Sequence, residues 1–223
     1  MPGILYIVAT PIGNLKDITL RGLETLKSVD LIVAEDTRHT KKLLSRYDIH
    51  KPLTSYFEHN QIKKTDYIMG QLKSGKSVAL VSDAGTPGIS DPGFVIIREA
   101  IKEGIKVESI PGPCALITAL VVSGLPTDRF VFEGFLPPRS AARRKKLQAL
   151  KDEQRTIILY ESPHRVLKTL KDIAEIMPSA KIACVREATK MFEEIIRGNP
   201  AYLLEHFTKN APKGEFILVL DIR

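Results

Sequence analysis

The stretch VSDAGTPGISDPGF, residues 81–94, puts two aspartates, two serines, three glycines and two prolines directly after the apolar run Val78-Ala79-Leu80-Val81. Glycine opens backbone angles that other residues avoid, and proline fixes one angle and removes a donor, so the loop is built for shape. It offers carboxylates, hydroxyls and free backbone groups, with little positive charge. That donor set suits a polar ligand bearing amines or a cation better than a polyphosphate. Similar clusters follow other β-prone runs: Thr10-Pro11-Ile12-Gly13-Asn14, Glu35-Asp36-Thr37-Arg38 and Pro111-Gly112-Pro113. Charged residues at strand ends are Glu35, Asp36 and Arg38, and later Arg186, Glu187 and Lys190. Each can serve an ion pair or handle charge in a reaction. His39 suits the start of a helix.

These clusters need elements to hold them. ILYIVATPIGNL, DLIVAEDTRHT, SVALVSDAGTPG and KVESIPGPCA each place a short strand before a polar loop. Helical patterns lie between them over 18–28, 61–73 and 93–102. Strands alternating with such helices predict βαβ units and a mostly parallel sheet. In open sheets of this kind ligands bind beyond the carboxyl ends of the strands, where the unusual loops fall. The second half has strand-like runs in RFVFEGFLP, RTIILYESPHR, KIACVREATKMFEE and GEFILVLDI, with helices predicted over 141–150, 163–176 and 200–207. The predicted architecture is α/β with two domains, 1–112 and 126–223, joined by a helix within 113–125. Interdomain clefts commonly house small ligands, so the main cleft is expected there.

Known nucleotide and metal motifs are missing from the sequence. ATPIGN does not supply G-x-G-x-x-G, and KSGKS precedes a strand where a triphosphate loop would follow one. No H-E-x-x-H or paired C-x-x-C offers a metal cage. With 43% hydrophobic and 26% charged residues, the 223-residue chain reads as soluble and globular. No run approaches the roughly 18 apolar residues of a membrane span, and the N-terminus lacks a basic leader. Two cysteines in apolar company fit a reducing, cytoplasmic setting. The formal net charge is +7, and PPRSAARRKK holds Arg139, Arg143, Arg144, Lys145 and Lys146 without an acid. The run is either a solvated helix face or a phosphate-contacting patch.

The motifs ATPIGNLKDIT, AEDTRHT, SDAGTPGISDPG, PGPCALITAL, FEGFLP, YESPHR and REATKMFEE resemble the tetrapyrrole methylase superfamily, the class III methyltransferases. Within it they are similar to the bacterial small-subunit ribosomal RNA methyltransferases, from Leu5 to nearly Leu220. The resemblance implies two α/β domains with S-adenosylmethionine between them, a homodimer, and 2′-O-methylation of a cytidine ribose in 16S ribosomal RNA. By motif position, Ser82, Asp83, Ala84 and Gly85 would hold the cofactor. Pro11 would form one wall, Ile89 and Ser90 another. Cys114 and Ala115 would lie beside it, and Phe135, Tyr160 and Ala188 would close from the second domain. A tetrapyrrole or another small molecule as substrate, and a non-catalytic RNA-binding protein, are the competing readings.

For such a transfer, a ribose hydroxyl needs a base or a cation that favours the alkoxide. The expected residues are Glu35 or Asp36 for proton removal and Arg38 or Lys190 for gripping a phosphate. Family members often continue into a basic C-terminal extension, whereas this sequence reaches Asp221-Ile222-Arg223. RNA contacts therefore fall to other cations, with Arg139 and the ARRKK run the expected RNA-binding residues.

Overall fold

The computed structural model describes residues 1–57 and 60–223 and divides into two units, Met1–Cys114 and Ala115–Arg223. In the first unit, β1 (Ile4–Val8), β2 (Leu31–Ala34), β3 (Leu53–Ser55), β4 (Val78–Val81) and β5 (Lys106–Ile110) form one parallel sheet, ordered β3-β2-β4-β1-β5. Every residue of β2 and β4 is buried, because helices cover both faces of a parallel sheet. Helices α1 (Leu20–Ser28) and α2 (Thr37–Arg46) cover one face, where Leu26 and Leu44 meet Val8, Ile32 and Val81. On the other, α3 (Gln61–Lys73) and α4 (Phe94–Lys102) bring Ile68, Leu72, Ile96 and Ala100 onto Leu5, Ile7, Val33 and Leu80. Leu5 and Ile7 face one way and Val8 the other, as the two-residue strand period requires.

Neighbouring strands β1 and β4 send their connections in opposite directions across this sheet. The switch point of the topology, where such sheets bind ligands, therefore falls between them. Helix α2 and strand β3 are additions to the elements read from the sequence. The α2 segment TRHTKKLLSR turns only Thr40, Leu43 and Leu44 inward, too few apolar positions to write a helical pattern. Its start is set by Asp36, whose carboxylate accepts the Arg38 N–H as an N-cap.

The second unit opens with α5 (Ala115–Ser123) and continues through β6 (Phe130–Phe135), α6 (Ser140–Ala149), β7 (Thr156–Glu161), α7 (Val166–Ile176), β8 (Lys181–Arg186), β9 (Glu194–Gly198), α8 (Pro200–Lys209) and β10 (Phe216–Asp221). Its sheet runs β6-β7-β10-β8-β9, parallel only between β6 and β7 and antiparallel elsewhere. Leu147, Leu170, Ile173, Leu203 and Phe207 from α6, α7 and α8 pack with Leu159, Cys184 and Leu218 of the sheet. Helix α5 contacts β7, β8 and β10. Arg197 of β9 holds its end, donating through Nε to the Ser123 carbonyl at 3.0 Å and through Nη2 to that of Val122. No helix among the described residues is long and apolar enough to cross a membrane.

Candidate functional site

At the switch point the loops after β1 and β4 are stitched together. The Thr10 N–H donates to the Gly85 carbonyl at 2.8 Å, and the Gly85 N–H donates to the Thr10 carbonyl at 3.0 Å. The Thr10 hydroxyl adds a bond to the Ser82 carbonyl at 3.1 Å. Gly85 has φ +83°, and a side chain there would strain the turn while its Cβ met Ile12 at 3.4 Å. At the far end of loop 82–93, a Cβ on Gly93 would come within 3.0 Å of the Gly88 nitrogen, so only glycine lets the loop close on itself. Ser90 holds φ +64° without being glycine, a strained conformation of the kind that gathers at functional sites.

The ends of β2 and β4 are joined in the same way. The Asp36 N–H donates to Asp83 Oδ1 at 2.9 Å, and the Asp83 N–H bonds to the Glu35 carboxylate. Glu35, Asp83 and Asp91 thus share one electrostatic neighbourhood. Burial raises the pKa of Glu35, and the adjacent Asp83 carboxylate raises it further. Burial also pushes Asp91 up to about 6, reinforced by Glu35 and Asp83 and partly opposed by a bond from Ser82. Asp36 goes the other way, down to about 2, because Arg38 bonds its carboxylate through both side chain and backbone. Of the two adjacent carboxylates, Glu35 thus has its proton affinity raised and Asp36 has it lowered. Asp91 is absent from the sequence-predicted site residues. Its signal was the second aspartate of SDAGTPGISDPG, eight residues after Asp83 along a loop that closes on itself.

Pro11, Ser82, Asp83, Ala84 and Gly85 meet Glu35 and Asp36 on this edge of the first unit. Pro11, Ser82 and Gly85 are buried, whereas Ile89 and Ser90 are exposed on the same loop. Cys114 closes the unit, after the Pro113 carbonyl that accepts from the Thr86 hydroxyl. The loop contains no lysine or arginine, and its acids and carbonyls fit a ligand carrying an ammonium and a sulfonium.

In the second unit, Ala115 begins α5, and Phe135 and Tyr160 pack edge to face with ring centroids 5.7 Å apart. Ala188 is buried in the turn after β8, between Glu187 at φ +51° and Thr189 at φ +66°. Lys190 corrects an expectation. Its ammonium donates to Glu187 Oε1 at 2.8 Å and Glu215 Oε2 at 2.9 Å. It clamps this turn instead of presenting a free charge to a phosphate.

The ARRKK run needs a larger correction. Acids absent from its own sequence neighbourhood arrive from other elements. Arg143 is 3% exposed, and its Nε donates to Asp172 Oδ2 at 2.6 Å. Arg144 reaches Asp172 at 2.9 Å and Glu175 at 2.5 Å, and Lys146 reaches Glu133 at 2.6 Å. Only Arg139 and Lys145 remain exposed without an ion pair among the described residues. A buried, paired Arg143 stabilises the α6–α7 packing and is not an RNA contact.

Residues 4–203 match the model of the tetrapyrrole (corrin/porphyrin) methylases. The ribosomal RNA small subunit methyltransferase I of Thermotoga maritima is 52% identical over 98% of this chain and 98% of its own. The protein of the same name from Synechocystis sp. is 52% identical over 98% of this chain and 78% of its own. Among solved structures, a Thermus thermophilus uroporphyrin-III C-methyltransferase complexed with S-adenosyl homocysteine superposes with a TM-score of 0.69 at 17% identity, over 98% of this chain and 97% of its own. The acid-lined switch point thus sits on a fold shared with methyltransferases, and the chain belongs to the tetrapyrrole methylase family.

Proposed function

We propose that the protein is an S-adenosylmethionine-dependent methyltransferase that methylates the 2′-hydroxyl of a cytidine ribose in 16S ribosomal RNA. Near-complete coverage at 52% identity with relatives named for small-subunit ribosomal RNA carries this reading. The donor set of loop 82–93 supports the cofactor. When bound, S-adenosylmethionine supplies a methyl group activated on a sulfonium sulfur. Backbone groups of Ser82, Asp83, Ala84 and Gly85 would hold it, with Pro11, Ile89, Ser90, Cys114 and Ala115 beside them.

Glu35 takes the proton of the attacking hydroxyl. Burial and the Asp83 charge make its carboxylate a stronger base than an ordinary glutamate. Asp36 is too acidic for that task and instead fixes the start of α2 and the position of Arg38. Positioning supplies much of the remaining acceleration, since orientation can contribute roughly 7–11 kcal/mol. The protein acts in the cytoplasm as a homodimer. Ile117 and Val121, exposed on α5, are apolar surface for such an interface.

The test is transfer of labelled methyl to small ribosomal subunits from cells lacking the modification, followed by mass spectrometry of digested nucleosides. The expected product is 2′-O-methylcytidine. Label on a base, or on a tetrapyrrole and not on RNA, overturns the reading, as does RNA binding without any transfer. Light scattering that finds a fully active monomer removes the dimer.

A further inference from the structure

Helix α2 leaves the rim of the site at Asp36 and carries Arg38, His39, Lys41, Lys42 and Arg46. At 100° per residue, the buried side chains Thr40, Leu43 and Leu44 cluster on one side. Arg38, His39, Lys41, Lys42 and Arg46 occupy the opposite arc, and all five are exposed. The helix contains no acid. Arg38 alone of its cations has an ion pair, with Asp36, whereas Lys41, Lys42 and Arg46 have none among the described residues. Lys41, Lys42 and Arg46, three cations on one three-turn face unmatched by acids, cost self-repulsion unless a polyanion meets them.

We propose that this face of α2 docks the phosphate backbone of small-subunit ribosomal RNA and leads it to Glu35. The inference rests on the methyltransferase reading above and says which surface of the first unit grips the substrate. Strand β2 ends at Ala34, so the base and the first turn of the docking helix are consecutive in the chain. A backbone lying along α2 therefore reaches the strand-end rim at the N-terminal end of the helix. The exposed arc offers no apolar side chain to insert into a bilayer, which favours a nucleic acid over an anionic membrane. Lys and Arg heads at this spacing contact successive phosphates and release counterions.

The experiment compares the wild type with Lys41→Ala/Lys42→Ala/Arg46→Ala in binding to unmodified small subunits between 50 and about 300 mM salt. Each lost phosphate contact removes about 0.7–0.9 from the slope of log affinity against log salt. The triple variant should therefore lose about 2–3 in slope and about 100-fold in affinity near 0.1 M salt. S-adenosylmethionine binding by calorimetry and thermal unfolding should stay at wild-type values. The charge-keeping variant Lys41→Arg/Lys42→Arg/Arg46→Lys should bind as the wild type does. Equal affinity and slope for the wild type and the alanine variant, with transfer to RNA intact in both, overturns the docking surface alone. A wild type that transfers no methyl to RNA overturns the underlying function and this surface with it. Loss of binding to vesicles of anionic phospholipid, with RNA binding unchanged, would assign the face to a membrane and also overturns the proposal.

Discussion

The β2–α2 region of the first unit and the α6–α7 region of the second handle charge in opposite ways. Helices α2 and α6 both look like basic runs in sequence. In α6, Arg143, Arg144 and Lys146 find Asp172, Glu175 and Glu133 on neighbouring elements, and the charge is spent on holding the fold. Around β2 and α2 the neighbours do not match. Glu35 faces other carboxylates, and Lys41, Lys42 and Arg46 face solvent. Matched charge stabilises this molecule. Unmatched charge, kept next to the strand ends, is what remains for a substrate.

The largest effect should come from the unmatched side. Replacing Glu35 with Gln keeps the shape and removes the base, and methyl transfer should fall about 10²–10⁴-fold. Cofactor affinity measured by calorimetry should change far less than transfer does, since the proposed cofactor site lies on the backbone of loop 82–93 and not on this side chain. Full activity in Glu35→Gln would break the comparison at its first member.

On the matched side, Arg143→Ala leaves Asp172 buried without its main partner. Denaturant unfolding should show a loss of about 3–5 kcal/mol, while the double variant Arg143→Met/Asp172→Leu should recover most of it. A fully stable Arg143→Ala would mean that the pair is incidental.

Asp91 sharpens the contrast through pH. Its folded pKa, near 6, lies above the ordinary value of 3.8. The folded state therefore binds more protons between those values, and this group's contribution to stability is present below about pH 4 and lost as pH rises through 6. After discounting for its partial exposure, Asp91→Asn should stabilise the protein at pH 7 by about 1–2 kcal/mol and flatten that part of the profile. Parallel pH profiles for variant and wild type would show that Asp91 is an ordinary surface carboxylate.

The smallest effect belongs to the exposed remainder of α6. Arg139→Ala/Lys145→Ala should change stability by no more than about 0.5 kcal/mol. It should weaken small-subunit binding less than the α2 triple variant does. The reverse order of binding losses would return the main RNA contact to α6.

Much of the first unit was legible because its strands carry continuous apolar runs and end in loops of unusual chemistry. ILYIV, LIVA and VALV announce strands buried on both faces, and SDAGTPGISDPG announces a ligand loop. Helix α2 was not legible beyond His39, since three inward positions write almost no pattern and its start depends on a side-chain cap. The basic run 139–146 was legible as charge but not as structure. Its partners Asp172, Glu175 and Glu133 are remote in sequence, and only packing of α7 and β6 beside α6 delivers them. The same holds for Asp91, whose pKa is raised first by burial and then by Glu35 and Asp83, which the folded loop 82–93 brings near it. Sequence by itself determined the family, most of the strands and helices, and the unusual loops at the strand ends, because these depend on local residue types and their spacing. Tertiary structure alone decided which charges are neutralised and which stay available, because electrostatic energy depends on distance and burial, and neither is written along the chain.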